Sequence, residues 1–139
     1  MAKVLVVSDA QTVTDDVLAV ADDGENVCSS LRSGELVRKA VETDPPDIVV
    51  ADCQVQSMGG IAVCLDLKLE ESGGRLPHVP VLLLLDRRAD VFLARRSGAE
   101  GFLVKPLDPI RLRHAMDAVL AGGVFHDTAY TPVTVAADS

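Results

Sequence analysis

The sequence has no tryptophan, one tyrosine and three phenylalanines, so any core it builds is aliphatic. Basic residues are the minority: 13 Lys and Arg against 21 Asp and Glu leave a formal charge of −8. A nucleic-acid-binding surface needs a basic face, so that class of partner is not expected. The three cysteines, Cys28, Cys53 and Cys64, form no CxxC pair and no disulfide framework. No apolar run approaches the roughly 18 residues of a membrane-spanning helix. The start, Met1-Ala2-Lys3-Val4-Leu5, enters a strand at once and lacks a signal-peptide layout. A cytoplasmic protein with no direct membrane insertion is expected. What the chain does have is apolar material: 48% of its 139 residues are hydrophobic, enough for one domain with a proper core.

That material is arranged in short runs. Ile48 to Ala51 is apolar and β-branched, the pattern of a strand buried on both faces of a parallel sheet, and Asp52 follows at its exit. Val4 to Val7 and Val79 to Leu85 read the same way, Gly101 to Val104 is a shorter example, and Asn26 to Ser30 is a polar edge strand. Helical spacing fills the gaps. Thr12 with Asp15 suggests a capping box for a first helix, and Ser33 caps a second with Leu36, Val37, Ala40 and Val41 facing inward. Ile61 to Glu71 and Arg88 to Ser97 supply two more, and Asp108-Pro109 opens the fifth. Five strands alternating with five helices, joined by short connections, predict a doubly wound α/β domain over residues 1–121. Residues 122–139 form a polar tail with an extended Val133-Thr134-Val135 segment.

In the flavodoxin-like strand order 2-1-3-4-5, Asp9 and Asp52 leave the sheet side by side at the switch point, and Lys105 arrives from strand five. Two carboxylates and an ammonium on one edge suit a divalent cation with a phosphoryl group. Aspartate is itself a phosphoryl acceptor. His78, His114 and His126 have no ligand spacing and read as surface or capping residues. Cys53 reads as a small buried hydrophobe rather than a redox site. A flavin-binding flavodoxin is disfavoured, because Ser8-Asp9-Ala10-Gln11 is not a Gly/Thr-rich phosphate loop.

Residues 3–121 resemble the receiver domain of bacterial two-component response regulators. The likeness is carried by Val4-Leu5-Val6-Val7-Ser8-Asp9, by Pro46 to Asp52, by Met58-Gly59-Gly60 and by Gly98 to Pro106. It implies a phosphoacceptor at Asp52, Mg²⁺ held by Asp9, Asp52 and the backbone carbonyl of Gln54, and a phosphoryl contact from Lys105. It also implies a switch aromatic at Phe102, a cis Lys105–Pro106 bond, and a signalling module rather than an enzyme. Its partner would be a histidine kinase or phosphotransfer protein.

Three departures from the family pattern bear on function. Ser8 stands where a second acid is usual, which weakens the cation site. Leu85 stands where a Thr or Ser hydroxyl normally bonds the phosphoryl group, with Asp86 in place of a small residue. The stretch from Leu85 to Lys105 is also slightly short. Two readings stay open: a stand-alone receiver phosphorylated at Asp52, or a pseudo-receiver acting as a phosphorylation-independent binding module or accessory subunit. Such departures resemble those of orphan actinobacterial receivers, one kind of which is associated with respiratory complex I, which would place the protein peripherally on a membrane-bound complex. No output domain is expected after residue 121. Arg87, Arg88, Arg95 and Arg96 concentrate positive charge on the fourth helix and are candidate partner contacts. In the tail, Val124, Phe125 and Tyr130 are the expected anchors, with docking to a partner favoured over packing on the domain itself.

Overall fold

The computed structural model describes residues 2–54 and 58–127. Strand β1 (Lys3–Val7) leads to helix α1 (Gln11–Ala21), β2 (Val27–Leu31), a 3₁₀ turn (Gly34–Leu36) running into α2 (Val37–Thr43), and β3 (Ile48–Asp52). Helix α3 (Gly60–Ser72) precedes β4 (Val81–Leu85), a second 3₁₀ turn (Arg88–Asp90) that continues as α4 (Val91–Arg96), β5 (Gly101–Val104) and α5 (Pro109–Leu120). A short sixth strand, β6 (Phe125–His126), follows. All pairings are parallel, in the order β2-β1-β3-β4-β5-β6. The flavodoxin-like α/β order read from the sequence is therefore present, with one strand added to its far edge.

The apolar runs behave as a sheet covered on both faces demands. Residues of β3 and β4 are all buried, and successive side chains go to opposite layers. Leu5, Val49, Val81, Leu83 and Leu85 pack with Val37, Val41, Val63 and Leu67 of α2 and α3, while Val6, Ile48, Val50, Leu82 and Leu84 pack with Val17 of α1 and Leu112, Met116 and Val119 of α5. Strand β2 is the exposed polar edge.

Three local expectations are corrected. Helix α1 starts at Ala10 with no side-chain cap, and Asp15 takes the Gln11 side-chain amide at 2.8 Å instead of closing a box with Thr12. Leu36 is 53% exposed because it belongs to the 3₁₀ turn, whose register turns it off the core stripe. Most consequentially, Phe125 to Asp127 bind their own sheet, against the expectation that the tail favours a partner over its own domain. Phe125 pairs with Gly101 and His126 with Phe102. Gly101 makes room for this: a Cβ there would lie 3.1 Å from the Phe125 carbonyl oxygen and 3.0 Å from Leu82. Val124, expected as an anchor, is 64% exposed, and Phe125 is half-buried against the α5 layer. Tyr130 and Val133-Thr134-Val135 lie outside the described residues.

Candidate functional site

The carboxyl ends of β1, β3, β4 and β5 converge on Asp52, the last residue of β3, which is fully buried. Both of its oxygens are engaged. Ser8, just beyond β1, donates its hydroxyl to Oδ2 at 2.8 Å, and the Gln54 backbone N–H donates to Oδ1 at 3.0 Å. Lys105 Nζ donates to the same Oδ1 at 2.8 Å. Lys105 stands where it does because its backbone N–H bonds the Leu85 carbonyl at 2.8 Å, and its peptide bond to Pro106 is cis.

Asp86, the residue after β4, is the fourth component. Its Oδ1 accepts from Lys105 Nζ at 3.0 Å, while its Oδ2 is buried and meets no hydrogen-bond donor among the described residues. One ammonium is thus shared by two carboxylates. Burial opposes the charge on Lys105, but the hydrogen bonds and charges of Asp52 and Asp86 outweigh it, so its pKa is raised above the ordinary lysine range. Lys105 is a fixed cation here and not a proton donor at neutral pH.

Asp9 is half-buried one residue past Ser8, and its carbonyl accepts from Arg32 at 2.9 Å. Asp9, Asp52 and the Gln54 carbonyl are all hard oxygen donors, the kind Mg²⁺ takes. Ser8 removes a charge from that set and spends its hydroxyl on Asp52 directly. The donors fit a magnesium ion in kind, with fewer charges than the family's usual pair of acids and Asp52.

Leu85 is fully buried in the α3 and α4 layer with Val81, Val91 and Phe102. Replacing it by Thr to restore the missing hydroxyl is therefore expected to cost about 2 kcal/mol of stability, a loss of packed methyl groups that urea unfolding would register. Phe102 is likewise buried, with the Arg95 guanidinium 5.6 Å from its ring centroid and the His126 ring stacked at 5.1 Å. Arg96 covers the exposed Phe92, Arg87 binds Asp90 at 3.1 Å, and Arg88 is exposed. Burial first, then the Asp52 charge, pushes the Cys53 thiol up to about 12. It is held as the thiol at neutral pH. His78 contacts Glu71 and Glu100, and the described residues contain no cluster of three or more His, Cys, Asp or Glu side chains set to hold a metal.

Sequence reasoning missed Asp127. It is 1% exposed, accepts the Val104 N–H at 2.9 Å, donates its own N–H to the Phe102 carbonyl at 3.2 Å and pairs with Arg111. No sequence signal separates it from any acid in a polar tail.

Comparison with known proteins gives this edge a context. The family described as the response regulator receiver domain matches residues 4–117. The protein PilH of Pseudomonas aeruginosa is 28% identical over 123 residues, which are 88% of this chain and the whole of that protein. The response regulator PleD of Caulobacter vibrioides is 35% identical over 86 residues, 60% of this chain but only 18% of PleD. Other relatives are matched in part too: the chain spans half of the nitrate/nitrite response regulator NarL of Escherichia coli. Among solved structures, the chemotaxis response regulator CheY4 of Vibrio cholerae superposes with TM-score 0.74 at 22% identity, covering 86% of this chain and 98% of that one.

Proposed function

The chain belongs to the response regulator receiver domain family, and on that premise we propose that it accepts a phosphoryl group on Asp52 and signals through protein contacts. The observation that carries this is the fully buried Asp52 at the switch point with the Lys105 ammonium 2.8 Å away. An Asp52 oxygen attacks the phosphorus of a phosphohistidine or a small acyl phosphate. The new P–O bond forms as the bond to the leaving group breaks, and the departing imidazole or carboxylate takes the electron pair. Lys105 balances charge on the phosphoryl oxygens. Asp9, Asp52 and the Gln54 carbonyl would hold Mg²⁺, which supplies further neutralisation of that charge. Phe102, buried beneath Arg95, would be the aromatic that responds to the state of Asp52, and Arg87, Arg88, Arg95 and Arg96 would present that state to a histidine kinase, a phosphotransfer protein or an output partner.

Slow, Mg²⁺-dependent labelling by acetyl phosphate is expected, at Asp52 alone. Asp52→Asn should abolish it, as followed by intact-protein mass spectrometry. Label that persists in the variant, or forms without the metal, overturns the assignment.

Leu85 and Asp86 support a second reading, in which the domain is a phosphorylation-independent binding module or an accessory subunit of a larger assembly, respiratory complex I being the one its departures suggest. No described helix is long and apolar enough to cross a membrane, so such an association would be peripheral. The same Asp52→Asn variant separates the two. Capture of native partners unchanged by the substitution favours the accessory role; capture that depends on Asp52 favours phosphosignalling.

A further inference from the structure

We propose that Asp86 is a positioning residue that gates phosphorylation of Asp52 by occupying the phosphoryl-binding donor, Lys105. This rests on the reading of Asp52 as the phosphoacceptor and concerns what controls its rate.

The geometry places one carboxylate oxygen of Asp86 3.0 Å from Lys105 Nζ, and one of Asp52 2.8 Å from the same nitrogen. An ammonium has three protons to donate. Two point at these carboxylates, which leaves one for an incoming phosphoryl group that carries about −1.5 to −2 charges. The side chain of Asp86 is 28% exposed, so it forms part of the rim and can turn outward. Its second oxygen is buried and meets no donor among the described residues, an arrangement that costs desolvation and that the Lys105 contact offsets. Leu85, beside it, offers no hydroxyl to the phosphoryl group in compensation. Asp86 therefore supplies, in the unphosphorylated protein, a carboxylate where a phosphoryl oxygen must bind. Transfer is faster when Asp86 releases Lys105, and the acyl phosphate formed on Asp52 competes with it for the same nitrogen. A receiver built this way is slow to charge.

The test uses the full chain with acetyl phosphate and Mg²⁺, comparing the native protein with Asp86→Asn, Asp86→Glu and Asp86→Asn/Asp52→Asn, all checked for a native circular dichroism spectrum. Asp86→Asn keeps the shape and removes the charge, and should be labelled about tenfold faster, with saturation at lower donor concentration. Asp86→Glu keeps the charge and should stay as slow as the native protein. The double variant should take no label. Native protein that labels at Asp52 while Asp86→Asn labels no faster overturns the gate and leaves the phosphoacceptor standing. An absence of label on both overturns the two together, so the native protein alone tells one failure from the other.

Discussion

Replacing Asp127 by Ala is expected to lower stability by about 3 kcal/mol, the loss typical of breaking a buried ion pair from one side. For a domain of this size that is a fall in melting temperature of about 10 °C. The carboxylate is 1% exposed and binds the last backbone N–H of β5 as well as Arg111. Without it the Val104 N–H loses its acceptor and the Arg111 guanidinium, itself 29% exposed, loses its counter-ion. Neither is fully compensated by water at a covered sheet edge. Truncation after Gly123 should cost more, because it also removes the Phe125 contact with the α5 layer and the His126 ring over Phe102. Thermal unfolding followed by circular dichroism checks both. A melting temperature within a degree or two of the native value would mean that β6 rests on the domain without stabilising it.

Strand β6 also marks where sequence reasoning stopped. Strands β1, β3, β4 and β5 were legible because each is a continuous apolar run, and a run covered on both faces leaves little choice of architecture. Asp52 and Lys105 were legible for the same reason, since the ends of those runs fix which residues leave the sheet together. Two residues, Phe125 and His126, carry no period at all. Their pairing depends on the absence of a side chain at Gly101 and on an ion pair to Arg111 on a different element, neither of which is local. The misread Thr12 box and Leu36 have a related cause: each belongs to a helix start, where a shift of one or two residues changes every assignment. Asp86 was legible as a charge beside the pocket. That it lies on Lys105 required the carboxyl end of β4 to be placed beside that of β5, where Leu85 pairs with Val104.

The edge that binds β6 is next to the Asp52 site. Phe102 has Arg95 over its ring, His126 stacked on it and Asp127 bonded to its backbone. Its neighbour Val104 is tied to Asp127 as well, and Lys105 follows immediately. The segment that delivers Lys105 to Asp52 is thus pinned from the outer edge, which favours a site held in one arrangement over one that moves freely.

Lys105→Ala is expected to be the most damaging change at the site itself. It removes the cation from between Asp52, which is fully buried, and Asp86, and leaves two like charges facing each other with no counter-ion. A loss of about 3 kcal/mol follows, nearer the low end for buried pairs because the lysine and Asp86 are partly exposed. The substitutions at 105 and 86 should be strongly coupled. Lys105→Ala/Asp86→Asn takes away the repulsion as well as the cation and should recover more than 1 kcal/mol of the deficit, an interaction a double-mutant cycle resolves. The pH dependence has a definite sign. Because the folded pKa of Lys105 is raised, its contribution is fully present below the unfolded value of about 10.4 and is lost as pH rises through the higher folded value. Native protein should therefore lose stability above about pH 10.4 through this group, and the Ala variant should lack that component. Urea midpoints measured from pH 7 to 11 follow this loss, and a variant deficit that is flat across that range would show that Lys105 does not hold the two carboxylates in place.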